Sequence, residues 1–180
     1  MQAIEFALLN WVQTHLRCDF LDAVVPPFSA LANHGELWIA LAIFLLLFRR
    51  SRQTGLAVGC GLTMDLVACN LLLKPLVARL RPCDLNAAVT LLIPRPEDFS
   101  FPSGHTAASF AATAALRASG CWLWKPALAL SVLMGLSRVY LYVHWPSDVV
   151  FGALLGWLCG YGGWKLVKFL TQKFHRHPAP

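Results

Sequence analysis

Apolar residues gather along the chain in long runs separated by short polar breaks. Four runs approach the roughly 20 helical residues needed to cross a bilayer core about 30 Å thick: residues 53–77, 104–119, 122–143 and 147–170. Residues 19–48 break differently, with Pro26-Pro27 first, then Asn33-His34-Gly35, then the apolar run Leu37–Phe48. That pattern fits two short helices joined by a tight turn at 33–35, or one broken helix. At the start, Ile4, Leu8, Trp11, Val12 and His15 recur at helical spacing, opposite Glu5, Asn10 and Gln13. This predicts an amphipathic helix, lying either in a membrane interface or as a surface helix packed on the protein. It lacks the basic n-region of a secretory signal, and Glu5 precedes its apolar stretch. The expectation is all-α: an integral membrane bundle of six transmembrane helices with an N-terminal amphipathic interfacial helix. Residues 1–180 form a single membrane domain, with the interfacial helix at 1–17, a six-helix core at 19–170 and a cytoplasmic tail at 171–180.

Composition agrees with that pattern. Hydrophobic residues make up 57% of the chain and charged residues 13%, against about 25% charged in soluble domains. The formal net charge is +6. Lys and Arg sit at the ends of apolar runs rather than along one stripe, so membrane topology explains them and a nucleic-acid partner is not expected. With six crossings, Arg17, Arg49, Arg50, Arg52, Arg117, Lys125, Lys165, Lys168, Lys173 and Arg176 share one side. By the positive-inside rule that side is the cytoplasm, and it holds both termini. The opposite side receives the 33–35 turn, the 78–103 loop and the 143–146 turn, with Lys74, Arg79, Arg81, Arg95 and Arg138 as its basic residues. The cysteines Cys18, Cys60, Cys69, Cys83, Cys121 and Cys159 form no C-x-x-C pair. They read as small hydrophobes rather than as disulfides or a zinc site.

Three polar elements fall on that outer face. The first is K-P-L-V-A-R-L-R-P, Lys74 to Pro82; Lys74 ends an apolar helix, where snorkelling alone would account for it. The second is Phe101-Pro102-Ser103-Gly104-His105-Thr106 before an Ala-rich helix. Ser103 is a natural N-cap, Gly104 permits close backbone approach, and a helix N-terminus favours anions. The third is Ser137-Arg138, then His144, then Asp148 four residues on. Asp148 there can accept from one ring nitrogen of His144 and leave the other free to attack, or it can be a first-turn acid favoured by the helix dipole. Together these elements supply cations, two histidines, a carboxylate and a helix N-terminus. Phosphoryl transfer needs that set, because its transition state spreads negative charge over three oxygens. No cluster of carboxylates stands ready for divalent ions, so no metal and no cofactor is expected.

The spacing K-x6-R-P (Lys74, Arg81, Pro82), P-S-G-H (Pro102 to His105) and S-R-x5-H-x3-D (Ser137, Arg138, His144, Asp148) resembles the type-2 phosphatidic acid phosphatase superfamily. The resemblance implies a six-helix membrane fold with its site at the outer face. It implies Lys74, Arg81 and Arg138 holding phosphate with Ser103 and the Gly104 backbone, His105 as general acid, His144 as nucleophile and Asp148 as its partner. Soluble vanadium haloperoxidases share the superfamily but are much larger. The short chain looks like the bacterial lipid-phosphatase branch, in the inner membrane. The implied partners are a membrane lipid phosphate and the bilayer. Undecaprenyl diphosphate leads as substrate; phosphatidylglycerophosphate and phosphatidate are the alternatives. A phosphoryl transferase, or a non-enzymatic lipid-binding or transport protein on the same fold, is the reading from another class. Oligomeric state is not legible.

Other residues are assigned smaller parts. Asn70, one turn before Lys74, orients it or serves interhelical packing. Asp65 lies roughly 13 Å from Lys74 along the helix, too deep to touch phosphate. Glu97 and Asp98 read as solvated loop acids, with shaping of the site entrance as the alternative. Trp38, Trp122, Trp145 and Trp157 read as interface anchors or packing.

Overall fold

The computed structural model describes residues 2–176, and every regular element among them is helical. In chain order these are α1 (Gln2–His15), α2 (Asp19–Ala30), α3 (Glu36–Leu47), α4 (Arg52–Asp65), α5 (Lys74–Val77), α6 (Pro82–Leu85), α7 (Gly104–Ala118), α8 (Trp124–Tyr140) and α9 (Pro146–Arg176). A π-helical segment, Leu66–Leu73, joins α4 to α5. Two helical stretches, Arg52–Leu85 and Pro146–Lys173, are long and apolar enough to cross a membrane. Residues 19–48 form two short helices around a turn that contains Gly35 in the left-handed region. At 1.5 Å per residue, α2 and α3 are each about 18 Å long.

The bundle is built on small residues. Ala107, Ala111, Ala112 and Ala115 of α7 are fully buried, and α7 packs against α4, α8 and α9. A methyl group on Gly156 would lie 2.0 Å from the Ala107 carbonyl oxygen, and one on Gly160 would lie 2.0 Å from that of Ala111. The backbones of α7 and α9 therefore touch, as they do in small-residue helix pairs within membranes. The large apolar side chains point the other way. Phe44, Leu47, Leu133, Leu136, Leu154 and Leu158 are all exposed, a surface suited to lipid rather than water.

The helix α1 forms where expected, but its polar face is turned inward. Glu5 is buried, Gln13 donates to the Tyr140 carbonyl at 2.8 Å, and Asn10 accepts from the Tyr142 hydroxyl at 2.7 Å. Ile4, Leu8 and Trp11 face outward. At the other end α9 continues beyond residue 170, so the first part of the expected tail is helix; His177–Pro180 lie outside the described residues. Trp38 and Trp145 are buried packing residues, with the Trp38 indole donating to Ser109 Oγ at 2.9 Å, whereas Trp122 is exposed.

Candidate active site

Local backbone signals aim the three polar elements at one place. Ala78, in the left-handed region, ends α5 and turns the chain back toward Arg81. Pro82 then opens α6, and Asp84 accepts from the Arg81 N–H at 3.0 Å, a capping arrangement that holds Arg81 at the helix start. After α8, Tyr142 takes a positive φ of 61°, and the tight turn delivers His144 just before Pro146 begins α9. Asp148, in the first turn of α9, reaches back to accept from the Trp145 N–H at 2.9 Å.

One cavity of about 1310 Å³ is lined by Lys74, Arg81, Gly104, His105, Arg138 and His144. Arg81, Arg138 and His144 are all but fully buried, and Lys74 nearly so. Arg81 Nη1 sits 3.2 Å from His144 Nε2 and donates to the Val143 carbonyl at 2.7 Å. Arg138 Nη1 donates to the Ser29 hydroxyl, and its buried Nε has no hydrogen-bond partner among the described residues. His105 Nε2 lies 3.2 Å from Asn33 Oδ1, in the turn between α2 and α3. Burial, followed by the charges of Arg81, Arg138 and Lys74, pushes the His144 imidazole well below its usual 6.5. At neutral pH it is uncharged, the state in which a ring nitrogen can attack.

Two expected contacts differ from their sequence-based form. The Asp148 carboxylate is 3.6 Å from His144 Nδ1, beyond hydrogen-bond reach, and among the described residues that nitrogen has no side-chain hydrogen-bond partner. Competing donors have drawn it away: Asp148 Oδ2 accepts from the Ser100 hydroxyl and the Trp145 N–H, and Oδ1 accepts from Arg79 Nη1 at 2.6 Å. Ser103 occupies the N-cap position of α7, yet its hydroxyl caps no backbone N–H; it pairs with the Thr106 hydroxyl at 3.0 Å. The Ser103 N–H is spent on the Asp148 carbonyl at 3.1 Å. Ser103 is thus a fully buried tie between α7 and α9. Gly104 answers to its expected use, because a methyl group there would sit 3.2 Å from Asn70 Oδ1 and 3.7 Å from Lys74 Nζ. The Asn70 amide packs beneath this backbone, with no hydrogen bond to Lys74.

Three residues near the site have surroundings that the sequence did not reveal. Asp98, half-exposed, is not a free loop acid: it bridges Lys74 and Arg81, with Oδ1 accepting from Arg81 Nη2 at 2.5 Å and Oδ2 paired with Lys74 Nζ. Burial acts to raise the Asp98 carboxyl, but Lys74 and Arg81 outweigh it and hold it at about 2. Arg79 is not a free loop charge either, since it joins Asp148 to Glu5 of α1 through Nη1 and Nη2. Glu5 also accepts from the Ser147 N–H and hydroxyl at 2.9 and 2.6 Å. Asp65 is buried, its Oδ1 has no hydrogen-bond partner among the described residues, and it lines the same cavity deeper in the bundle. Among the described residues no group of three or more His, Cys, Asp or Glu side chains is placed to hold a metal ion.

The architecture is a helical bundle with an apolar outer surface and a buried cage of cations around two histidines. The chain belongs to the PAP2 superfamily, which it matches over residues 54–172. It is similar to an undecaprenyl-diphosphatase of Sulfolobus acidocaldarius, 38% identical over 129 residues that cover 70% of this chain and 62% of that one. The chain thus spans less than two thirds of that relative's length. Two solved structures share the fold. Aquifex aeolicus LpxE superimposes with a TM-score of 0.74 at 29% identity, covering 88% of this chain and 93% of that one. A transmembrane PAP2 type phosphatidylglycerolphosphate phosphatase from Bacillus subtilis also gives 0.74, at 25% identity, covering 96% and 86%.

Proposed function

We propose that this chain is a membrane lipid phosphatase that hydrolyses undecaprenyl diphosphate through a phospho-histidine at His144. One observation carries the reading: a single cavity joins the cation cage to the apolar walls of α3 and α4, including Ile43, Leu46 and Leu56. A charged headgroup fits the first part and a hydrocarbon chain the second. In the first step His144 Nε2 attacks the terminal phosphorus, the bond to the bridging oxygen breaks, and that oxygen takes a proton from His105. In the second step water attacks phosphorus, the P–N bond breaks, His105 takes the proton from water, and His144 is restored. Lys74, Arg81, Arg138 and the Gly104 N–H at the start of α7 stabilise the charge on the three phosphoryl oxygens, with Ser103 holding that helix start in place. The Asp148 charge, 3.6 Å from His144 Nδ1, stabilises the imidazolium character that develops on attack and closes to a hydrogen bond as it does so.

The topology proposed with this chemistry is five crossings, by α3, the α4–α5 stretch, α7, α8 and α9; the expected sixth, α2, runs along the site end of the bundle instead, because Asp22, Ser29 and the following Asn33 contact Tyr140, Arg138 and His105 there. The site opens on the extracytoplasmic side of a bacterial inner membrane and α9 ends in the cytoplasm; α1 lies in the interface on the site side, not on the cytoplasmic side that the charge pattern suggests, because Glu5 bonds Arg79 and Ser147 there. The short α3 requires flanking residues or a locally thinned bilayer to complete its crossing. The whole chain acts as one membrane domain. Purified in detergent with EDTA present, the protein should release phosphate from undecaprenyl diphosphate, and His144→Ala should lose nearly all turnover. Activity that survives His144→Ala, or that returns only with added Mg²⁺, rejects this mechanism. The similarity to a phosphatidylglycerolphosphate phosphatase favours a second reading, a monophosphate lipid substrate. Comparing kcat/KM on the two lipids side by side decides between them.

A further inference from the structure

The two cations at the mouth of the cage are already engaged by an anion that belongs to the chain. The Asp98 carboxylate forks across Arg81 Nη2 and Lys74 Nζ. The remaining Arg81 donors are held elsewhere: Nε donates to the Asp98 carbonyl at 2.8 Å, while Nη1 serves the Val143 carbonyl and His144. Nη2, which also makes a long 3.4 Å bond to the Phe99 carbonyl, and the Lys74 ammonium are therefore what Arg81 and Lys74 can offer a phosphate, and the Asp98 carboxylate engages both. The third cation, Arg138, contacts no carboxylate among the described residues and faces the cavity.

We propose that Asp98 is a built-in competitor for the phosphate site, a carboxylate that substrate must displace and that re-forms its ion pairs when product leaves. This rests on the reading of the cage as a phosphate site. The Asp98 side chain is 52% exposed, so rotation into water at the cavity mouth releases it without loop opening. The loop backbone stays anchored by the Arg81 Nε bond to the Asp98 carbonyl and by the Ser100 N–H, which donates to the Arg79 carbonyl at 2.8 Å. Charge gives the device its selectivity. A single carboxylate yields to a lipid diphosphate, which brings more negative charge and the binding of a hydrocarbon chain. It competes far better against inorganic phosphate, which has no chain to hold it. Asp98 thus weakens product inhibition and biases the cage toward the lipid-borne anion. It is a specificity residue that acts by occupying the site, not a participant in bond making.

The test is binding of inorganic phosphate to the full-length protein in detergent, by calorimetry, for the wild type, Asp98→Asn and Asp98→Glu. Asp98→Asn keeps the side-chain shape but removes the competing charge, so its phosphate Kd should fall at least about ten-fold, the scale of a lost charge-assisted hydrogen bond. Asp98→Glu retains a carboxylate and should restore weak binding. Competitive inhibition of lipid hydrolysis by phosphate should follow the same order. A role limited to loop structure predicts weaker or unchanged phosphate binding in Asp98→Asn, and either result overturns the proposal. The binding readout does not need turnover: if the wild type binds phosphate but cleaves no lipid phosphate, the hydrolase reading fails while the change in Kd still judges Asp98.

Discussion

Arg81 Nη1 lies 3.2 Å from His144 Nε2, and a guanidinium can only donate. The lone pair of the neutral imidazole is therefore on Nε2 and its proton on Nδ1, facing Asp148. The same guanidinium that fixes this tautomer lies beside the position the proposed phosphate would take. Replacing it should harm both functions. Lys cannot reproduce the planar fork, so Arg81→Lys should lower kcat/KM by about 10²–10³, the usual cost of one transition-state donor. Activity within a few-fold of wild type would remove Arg81 from the cage.

Asp148 holds its place by accepting from Ser100, Trp145 and Arg79 while standing 3.6 Å from His144 Nδ1. An amide in its position turns an NH₂ group toward at least one of these donors and loses the charge that supports the imidazolium. Asp148→Asn should reduce kcat by roughly 10³–10⁴ with little change in KM, by analogy with a triad carboxylate. Ser100→Ala removes one competing donor and should cost far less. Equal losses in the two variants would mean that Asp148 works only through the loop it anchors.

The effect of pH on stability has a definite sign at His144. Folding holds its pKa well below 6.5, so below that pH the unfolded chain binds a proton that the native state does not. Native stability should then decline as pH falls through 6.5 and onward toward the lowered native value. Thermal unfolding in detergent between pH 8 and 5 should show this fall in the wild type and a shallower one in His144→Gln. The other histidines are common to both proteins and cancel in the comparison. Superimposable curves would contradict a buried neutral His144.

That Lys74, Arg81, His105, Arg138 and His144 come together around one cavity was legible, because motif spacing and helix ends place them without knowledge of the fold. Two short helices around Gly35 were legible from proline and glycine placement. Glu5, Arg79 and Asp98 were not, for a physical reason. In one dimension each is a charge beside an apolar run or in a loop, and its partner lies far along the chain, as Glu5 does from Ser147. The π-helical stretch Leu66–Leu73 has no residue pattern distinct from an α-helix. The Ser103 position was readable, but the diversion of its hydroxyl to Thr106 depends on rotamers that a sequence does not display.

Glu5 ties α1 to the site, since it holds Arg79 at 2.7 Å and the start of α9 through Ser147. Glu5→Ala leaves Arg79 with Asp148 as its one carboxylate partner among the described residues and strips the Ser147 N–H of its acceptor. A loss of about 2 kcal/mol is expected for a half-buried charged network. For a chain of this size that is a fall in Tm of about 4–8 °C. Glu5→Gln, which can still accept from Ser147, should recover part of it. An unchanged Tm in Glu5→Ala would mean that α1 rests on the bundle without bracing it.

Gly156 and Gly160 bring together the two helices that carry His105 and Asp148. A methyl group at either position would lie 2.0 Å from a carbonyl oxygen of α7, and backbone cannot rotate aside as a side chain can. Gly160→Ala must push α9 from α7, with an overpacking cost of about 1–3 kcal/mol or more. Gly59 provides the control, because nothing lies within 4 Å of a methyl group there. Gly59→Ala should leave Tm and turnover near wild type, or raise Tm slightly through helix propensity. Gly156→Ala sits closer to Ser103 and Asp148 than Gly160→Ala does, and its displacement of α9 should separate the Ser103 N–H from the Asp148 carbonyl. Both variants should lose Tm, but Gly156→Ala should show the larger drop in kcat for the same loss of stability. If the two lose kcat in proportion to Tm alone, the α7–α9 contact supports the fold without setting the geometry of the site.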